Sequence, residues 1–307
     1  MGDEKRELPL GIHHKDTNKI RQDFQNLLEG NKPFLVPGAA NAISAKLIEK
    51  TGFNAFFITG AGLANSQYGL PDIGLLSLTE VCMESSKILD VTNLPAIIDA
   101  DTGYGGPLSV MRTINQLENL GAAAIQLEDQ VMPKRCGHFE NKSVIEKEAM
   151  INKLKAAQEA RSDPKLKIVA RTDARSVNDL NDAIQRGIAY AEAGADAIFI
   201  EAPQNVQEIE EISSALSGVP LVINIVEGGK TPQLSFSDLS DLGYKIILYA
   251  NFLLRTMLFT GKSALEHLKE NGTSEGFEKE ILPWQERQAL VELDLFDETS
   301  KRFPEEI

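Results

Sequence analysis

The chain has 307 residues, 42% of them hydrophobic, enough to bury a large core in one or two domains. Its formal net charge of −14 argues against nucleic acid as a partner, and an anionic substrate would need local cations or a metal to offset that field. No apolar run approaches the roughly 18 residues of a membrane span, and the N-terminal "MGDEKRELPLGIHHKD" lacks both the apolar stretch of a signal peptide and, with Arg6, the Ser or Thr of a myristoylation signal, so a soluble cytoplasmic protein without a membrane partner is expected.

Residues 1–22 are expected to form a tail or a first covering helix. From there one local unit repeats, in which a helical stretch ends near a Gly and a short apolar run follows: "KTGFNAFFITG", "NLGAAAIQLED", "EAGADAIFIEA", "DLGYKIILYAN". Gly suits the position after a helix because it accepts φ > 0. Other runs follow a Pro or a basic segment: "PFLVPG", "LPAIIDAD", "KLKIVARTD", "VPLVINIVE". All of these runs are continuous rather than alternating, as in parallel strands covered on both faces. The strand cores fall at about 34–36, 55–59, 96–99, 123–127, 167–171, 197–200, 220–223 and 245–248, with helical patterns between most of them. Eight alternating units argue for an α/β fold of the (β/α)8 TIM-barrel type over residues 23–272. A doubly wound open sheet is the alternative, but no G-x-G-x-x-G follows the first strand. Residues 251–271 and about 276–302 read as helices, and 273–307 form a C-terminal helical arm that a barrel does not need and that reaches toward a partner subunit.

Barrels carry their chemistry at the C-terminal ends of the strands. Just past each strand stand Thr59-Gly60-Ala61-Gly62, Asp99-Ala100-Asp101, Glu128-Asp129, Arg171-Thr172-Asp173, Glu201, Asn224 with Glu227, and Asn251 with Arg255. Charged groups so near apolar strands need partners or a metal; barrel-end salt bridges and helix caps are the plainer explanation. Alternate residues of a strand point the same way, so Asp99 and Asp101 both face one site, with hard oxygen ligands that suit Mg2+, or alternatively Mn2+, rather than Zn2+. Asp72 in "GLPDIG" and Glu128 are placed to hold that ion's waters. The backbone of "TGAG" is either an anion site or an ordinary tight turn, and Arg171, Arg255 and Asn224 are candidate clamps for a carboxylate substrate.

Cys136 is one of two cysteines and lies among Lys134, Arg135 and His138 in "LEDQVMPKRCGHFENK". Cys82 sits in an amphipathic helical pattern as a small core side chain, which removes the obvious disulfide partner, and no His/Cys cluster has zinc spacing. Cys136 is then either an incidental thiol or a reactive one whose thiolate Lys134, Arg135 and His138 stabilise. Glu140 and Lys142 read as ordinary solvated charges.

With these residues placed, the chain from about 24 to 272 resembles the isocitrate lyase/phosphoenolpyruvate mutase superfamily. The markers are "VPGAANAISAKLIEKTGF", "TGAG", "GLPDIGLLSL", "DADTGYGG", "IQLEDQ", "PKRCGH", "VARTDAR", "IFIEAP" and "INIVEGGKTP". The "KRCGH" loop resembles the lyase branch, of 2-methylisocitrate lyase and 2,3-dimethylmalate lyase type. The resemblance implies a barrel whose C-terminal helices are swapped between subunits in a homodimer or homotetramer. It implies cleavage of a carbon–carbon bond in a 2-hydroxy di- or tricarboxylate to a 2-keto acid, such as pyruvate, and a second carboxylate. By the same resemblance Asp99 and Asp101 hold Mg2+ directly, and Asp72 and Glu128 act through water. Thr59, Gly60 and Ala61 bind the keto-acid carboxylate, and Gly137, Arg171, Glu201, Asn224 and Arg255 line the pocket. Cys136 is the general acid, and His138 orients the loop or binds a carboxylate. Phe57 stands where many such lyases carry Tyr, and Val226 and Gly228 replace a Thr and a Phe usual in methylisocitrate lyases; Arg287 stands near a C-terminal Arg of those enzymes. Three other functions fit the same residues: a phosphonomutase, an oxaloacetate hydrolase or decarboxylase, and a non-catalytic keto-acid-binding protein.

Overall fold

In the computed structural model, which describes residues 8–12, 15–134 and 142–303, eight parallel strands close into a barrel in chain order. They are β1 (Phe34–Ala39), β2 (Phe56–Ile58), β3 (Ala96–Asp99), β4 (Ala124–Glu128), β5 (Lys167–Thr172), β6 (Ala197–Ile200), β7 (Leu221–Asn224) and β8 (Tyr244–Tyr249). β1 pairs β8 from Phe34 opposite Ile246 to Pro37 opposite Tyr249, which completes the ring. Each expected strand is present within three residues of its reading, the largest difference being β1, which runs on to Ala39.

The continuous apolar runs follow from two separate cores. Val36, Phe57, Ile97, Val169, Phe199 and Val222 point inward and pack on one another. Their neighbours Ile58, Ile98, Ile168, Ile198 and Ile223 point outward, against the covering helices. Side chains alternate across a strand, so a strand buried on both faces must be apolar at every position.

The helix Thr17–Glu29 closes the end of the barrel where the strands begin, and it runs across residue 22. Its Phe24 is fully buried and meets Phe34 of β1 edge to face, ring centres 6.0 Å apart. Arg21 on the same helix donates to the carbonyls of Glu118 (2.6 Å) and Ala122 (2.9 Å) and pairs with Asp163. This end is sealed, which leaves the C-terminal ends of the strands as the open face.

Gly38 is required by a close approach. A Cβ there would stand 1.8 Å from the carbonyl oxygen of Ala250, just beyond β8. Gly38→Ala is expected to lower the urea midpoint of unfolding by an amount equivalent to at least about 1–3 kcal/mol, the usual cost of overpacking; an unchanged midpoint would show that β1 and β8 can separate freely.

The C-terminal region differs from the single helix expected at about 276–302. After the helix Phe252–Asn271 come a short 3-10 turn (Glu278–Glu280) and two helices, Trp284–Leu290 and Leu293–Ser300. Pro283 has no N–H for a helix interior and so marks a start, while Glu292 in the left-handed region (φ 59°) separates the last two helices. The Glu292 carboxylate also ties this arm to the barrel through Lys46 (2.6 Å) and the Leu10 N–H (3.3 Å). Among the described residues no helix is long and apolar enough to cross a membrane.

Candidate active site

At the open face β3 ends on Asp99, whose carboxylate is fixed from both sides. Oδ2 accepts from the Gly60 N–H (3.3 Å) and Oδ1 from the Asp101 N–H (3.1 Å). A side chain at Gly60 would put its Cβ 3.0 Å from Asp99 Oδ2, close enough that the carboxylate would have to shift by a few tenths of an ångström. Asp101 lies past the strand end, in the left-handed region (φ 47°), and Tyr104 follows in the same region (φ 59°). The pair therefore converges through a strained turn rather than by the strand alternation expected from D-x-D; non-glycine residues hold such conformations only where their surroundings impose them.

Asp72, from the segment after the helix Gly60–Tyr68, reaches the same place, and Lys134 connects the two acids. Its ammonium lies 2.7 Å from Asp101 Oδ1 and also contacts Asp72 Oδ1, with the lysine side chain only 5% exposed. Burial alone would lower the Lys134 ammonium, but Asp101, Glu128, Asp99 and Asp72 overcome it and hold it well above the ordinary lysine range. The charge of Lys134 is directed into these carboxylates, while the Cys136 thiol it is expected to stabilise lies outside the described residues. Glu128, at the end of β4, is 3% exposed, and its Oε1 has no hydrogen-bond partner among the described residues. Burial raises Glu128 well above the usual carboxylate range, although Arg171 pulls it down. Asp101 is likewise pushed up to about 7 by burial, against Lys134.

These residues fit a divalent cation. Four carboxylates face one small region, the buried Glu128 Oε1 is unpartnered among the described residues, and a cation of this chain is already drawn among them. Carboxylates crowded so closely either keep protons or accept a positive ion in their place. Among the described residues no three His, Cys, Asp or Glu side chains form a ready-made metal cage. Mg2+ does not require one, because it keeps several waters and takes only one or two carboxylates directly.

A second cluster adjoins the first. Arg171 of β5 is 8% exposed and meets Asp173 (2.9 Å), Glu201 (3.1 Å) and Glu128 (3.4 Å). Its guanidinium also lies 5.2 Å from the centre of the Phe199 ring. Lys142 contradicts its reading as a solvated charge: its side chain is 1% exposed and its ammonium lies 2.7 Å from Asp173 Oδ1. Behind them Asp129 receives Thr172 Oγ1 (2.7 Å), Tyr190 OH (2.8 Å), the Asp173 N–H (3.0 Å) and Arg186 (3.2 Å). That network fixes the backbone on which Arg171 is mounted.

A cavity of about 320 Å³ opens between the clusters, the size for a small organic acid. Thr59, Ala61, Asp72, Asp99, Glu128, Arg171, Glu201, Asn224 and Arg255 line it, while Gly60 and Asp101 line a small adjoining recess shared with Asp72. The Gly60 N–H is committed to Asp99, so it is not available to a substrate carboxylate as expected. Arg255 is bound to Glu227, at 3.0 Å from both its carbonyl oxygen and Oε2. Thr59 Oγ1 lies 3.3 Å from Asn251 Oδ1, and Asn224 Oδ1 has no partner among the described residues. Cys136, Gly137 and His138 lie outside the described residues, as do Arg135 and Glu140.

Gln126 was missed by sequence reasoning. It lies two residues before Glu128 on β4, lines the cavity, and has a buried Nε2 without a partner among the described residues. The same two-residue spacing that singled out Asp99 and Asp101 points to it. Asn251 and Phe199 also line the wall. Arg287 stacks on Trp284, 4.0 Å from the ring centre, and is not among the residues lining this cavity.

The family described as phosphoenolpyruvate phosphomutase matches residues 24–269. The chain is 40% identical over 280 residues to 2,3-dimethylmalate lyase of Eubacterium barkeri, covering 91% of this chain and 96% of that one. It is 37% identical over 273 residues to 2-methylisocitrate lyase of Vibrio cholerae, covering 84% and 89%. A crystal structure of 2,3-dimethylmalate lyase, described as a PEP mutase/isocitrate lyase superfamily member, superposes with a TM-score of 0.85 at 31% identity over 94% of this chain and 96% of the other. The strand-end carboxylates, the buried arginine and these similarities agree: the chain belongs to the phosphoenolpyruvate mutase/isocitrate lyase superfamily and is an enzyme of its carbon–carbon lyase group.

Proposed function

We propose that the protein is a Mg2+-dependent lyase that cleaves a 2-hydroxy dicarboxylate of the 2,3-dimethylmalate class, or a tricarboxylate of the 2-methylisocitrate class, to a 2-keto acid and a second carboxylate. The observation that carries this reading is the set of Asp72, Asp99, Asp101 and Glu128 around one buried cation position, beside a cavity of about 320 Å³. Asp99 and Asp101 would hold the ion directly, and Asp72 and Glu128 would hold its waters. When bound, the ion supplies the positive charge that acidifies the substrate 2-hydroxyl and stabilises the keto-acid oxygen.

The chain's own residues do the rest. Thr59 Oγ1 and the Ala61 N–H receive the carboxylate of the nascent keto acid. Arg171, with Asn224, orients the substrate, and Glu201 and Asp173 keep the guanidinium in place. The 2-hydroxyl loses its proton, C2 becomes a carbonyl carbon, the C2–C3 bond breaks, and its electron pair stays on C3. Cys136 Sγ–H then delivers a proton to C3. Phe57 brings a ring without an ionisable group to the cavity, so the proton of the hydroxyl leaves to another acceptor.

The wall favours the dicarboxylate. Val226 and Gly228 line it, nothing among the described residues lies within 4 Å of the place of a Gly228 side chain, and Arg255 already holds Glu227. A methyl-bearing C3 suits that wall better than a third carboxylate.

A second copy of the chain completes the proposal. The helix Phe252–Asn271 buries none of its residues, and Leu258, Phe259 and Leu265 are 60–78% exposed. A homodimer or homotetramer that covers this face is expected in the cytoplasm, and sedimentation checks it.

Incubation with Mg2+ and 2,3-dimethylmalate, 2-methylisocitrate, isocitrate or oxaloacetate, following pyruvate, glyoxylate and oxalate, tests the function. Pyruvate from one of the first two substrates is expected. Turnover of phosphonopyruvate alone would make the enzyme a phosphonomutase, and oxalate from oxaloacetate alone would make it a hydrolase.

A further inference from the structure

We propose that Lys134 is an internal counter-ion that competes with the divalent cation, its ammonium occupying the place among Asp72 and Asp101 that the ion must take. The inference rests on the cation site of the preceding reading and adds a residue that controls loading of that site. A lysine near carboxylates is ordinarily a surface pair with its head in water. Lys134 differs in three respects. Its side chain is 5% exposed, its two partners are 14% and 9% exposed, and the contacts converge on oxygens from separate segments of the chain. Those oxygens are the ones the site offers to a metal.

The two ions cannot share the position. An ammonium needs about 2.7–2.9 Å to a carboxylate oxygen, whereas Mg2+ needs about 2.0–2.1 Å and its own shell of water. If both were bound side by side, their repulsion at short range in a buried site would be large. The carboxylates therefore have two alternative occupants. Lys134 neutralises them while the site is being folded, and a divalent cation replaces it by its higher charge. Loading consequently includes the free energy of detaching Lys134, which weakens the apparent metal affinity. A buried ammonium cannot remain unpaired once displaced, so it must reach solvent or an anion in the adjoining cavity.

Three measurements on the full-length enzyme test this. Mn2+ binding by electron paramagnetic resonance is expected to be tighter in Lys134→Met than in the wild type by at least about tenfold, because the competing charge is gone. Equal or weaker binding in the variant would overturn the proposal while leaving the cation site intact. If neither protein binds Mn2+, the cation-site reading fails and the proposal with it. Thermal unfolding in EDTA is expected at a lower temperature for Lys134→Met than for the wild type or Lys134→Arg, with a larger rise on adding Mg2+; equal Mg2+-dependent rises in all three proteins count against it. The third measurement needs no variant and stands even if Lys134→Met does not fold. Acetic anhydride labelling of the wild type, read by peptide mass, should modify Lys134 slowly in EDTA and at least about tenfold faster in saturating Mg2+, as a buried, paired amine becomes free. A labelling rate that Mg2+ leaves unchanged means that the ammonium does not move, and the proposal is wrong.

Discussion

Arg171→Met is expected to destabilise the fold by about 3–5 kcal/mol, the cost of removing one partner from a buried ionic cluster. Three carboxylates depend on this guanidinium, those of Asp173, Glu201 and Glu128, and each is at most 3% exposed. Methionine fills the space but supplies no charge or donor. Urea unfolding followed by circular dichroism gives the loss directly. The double variant with Glu201→Gln should recover part of it, because one uncompensated charge disappears. Additive losses would mean that the two residues do not interact. The acid side of the stability profile supplies a second readout. Burial would raise the Asp173 carboxyl, but Arg171 and then Lys142 overcome it and hold it at about 2. Its folded value lies below its unfolded one, so its contribution is complete above the ordinary carboxylate range of about 4 and is lost as pH falls toward 2. The wild type should therefore lose stability over that window, and Arg171→Met should lose less there, having less to lose.

Cys136→Ser is expected to lower turnover of the lyase substrate about 10²- to 10⁴-fold, the range over which a positioned general acid acts. A serine hydroxyl is close in size but far weaker as an acid. Mn2+ affinity should be unchanged, since the carboxylates proposed to hold the cation lie on β3, the turn after it, β4 and the segment carrying Asp72. Near-normal turnover would remove Cys136 from the reaction and favour a phosphoryl-transfer chemistry. Thiol labelling supports the same test. The other cysteine, Cys82, is half-buried beside Gln116, and burial raises its thiol above the ordinary value. Iodoacetamide should consequently modify Cys136 first, with loss of activity in proportion to its labelling; inactivation that tracks Cys82 instead would contradict the assignment.

How far the site was legible depends on what each residue's signal is made of. Asp99, Glu128, Arg171, Glu201 and Asn224 stand at or just after strand ends, and a strand end is visible as the place where an apolar run stops. Gln126 lies one alternation earlier and was hidden inside such a run. Asp101 was placed just past the strand and paired with Asp99 by two-residue alternation, yet it reaches the site through a left-handed turn that spacing alone does not encode. Lys134 and Lys142 were the least legible. In sequence they are charges in a polar segment, and only the positions of Asp72, Asp101 and Asp173 make them buried counter-ions.

The sequence by itself determined the barrel, because strands covered on both faces must be apolar at every position and the helices between them must carry one apolar stripe. It also determined which residue types stand at the open end. Only the tertiary structure decided how the charges pair, with Arg171 among three acids, Lys134 between Asp72 and Asp101, and Lys142 on Asp173. The physical reason is range. Apolar periodicity is a property of neighbouring residues, whereas the partner of a buried charge is whichever opposite charge the closed barrel brings within about 3 Å, from 31 residues away for Lys142 and 62 for Lys134.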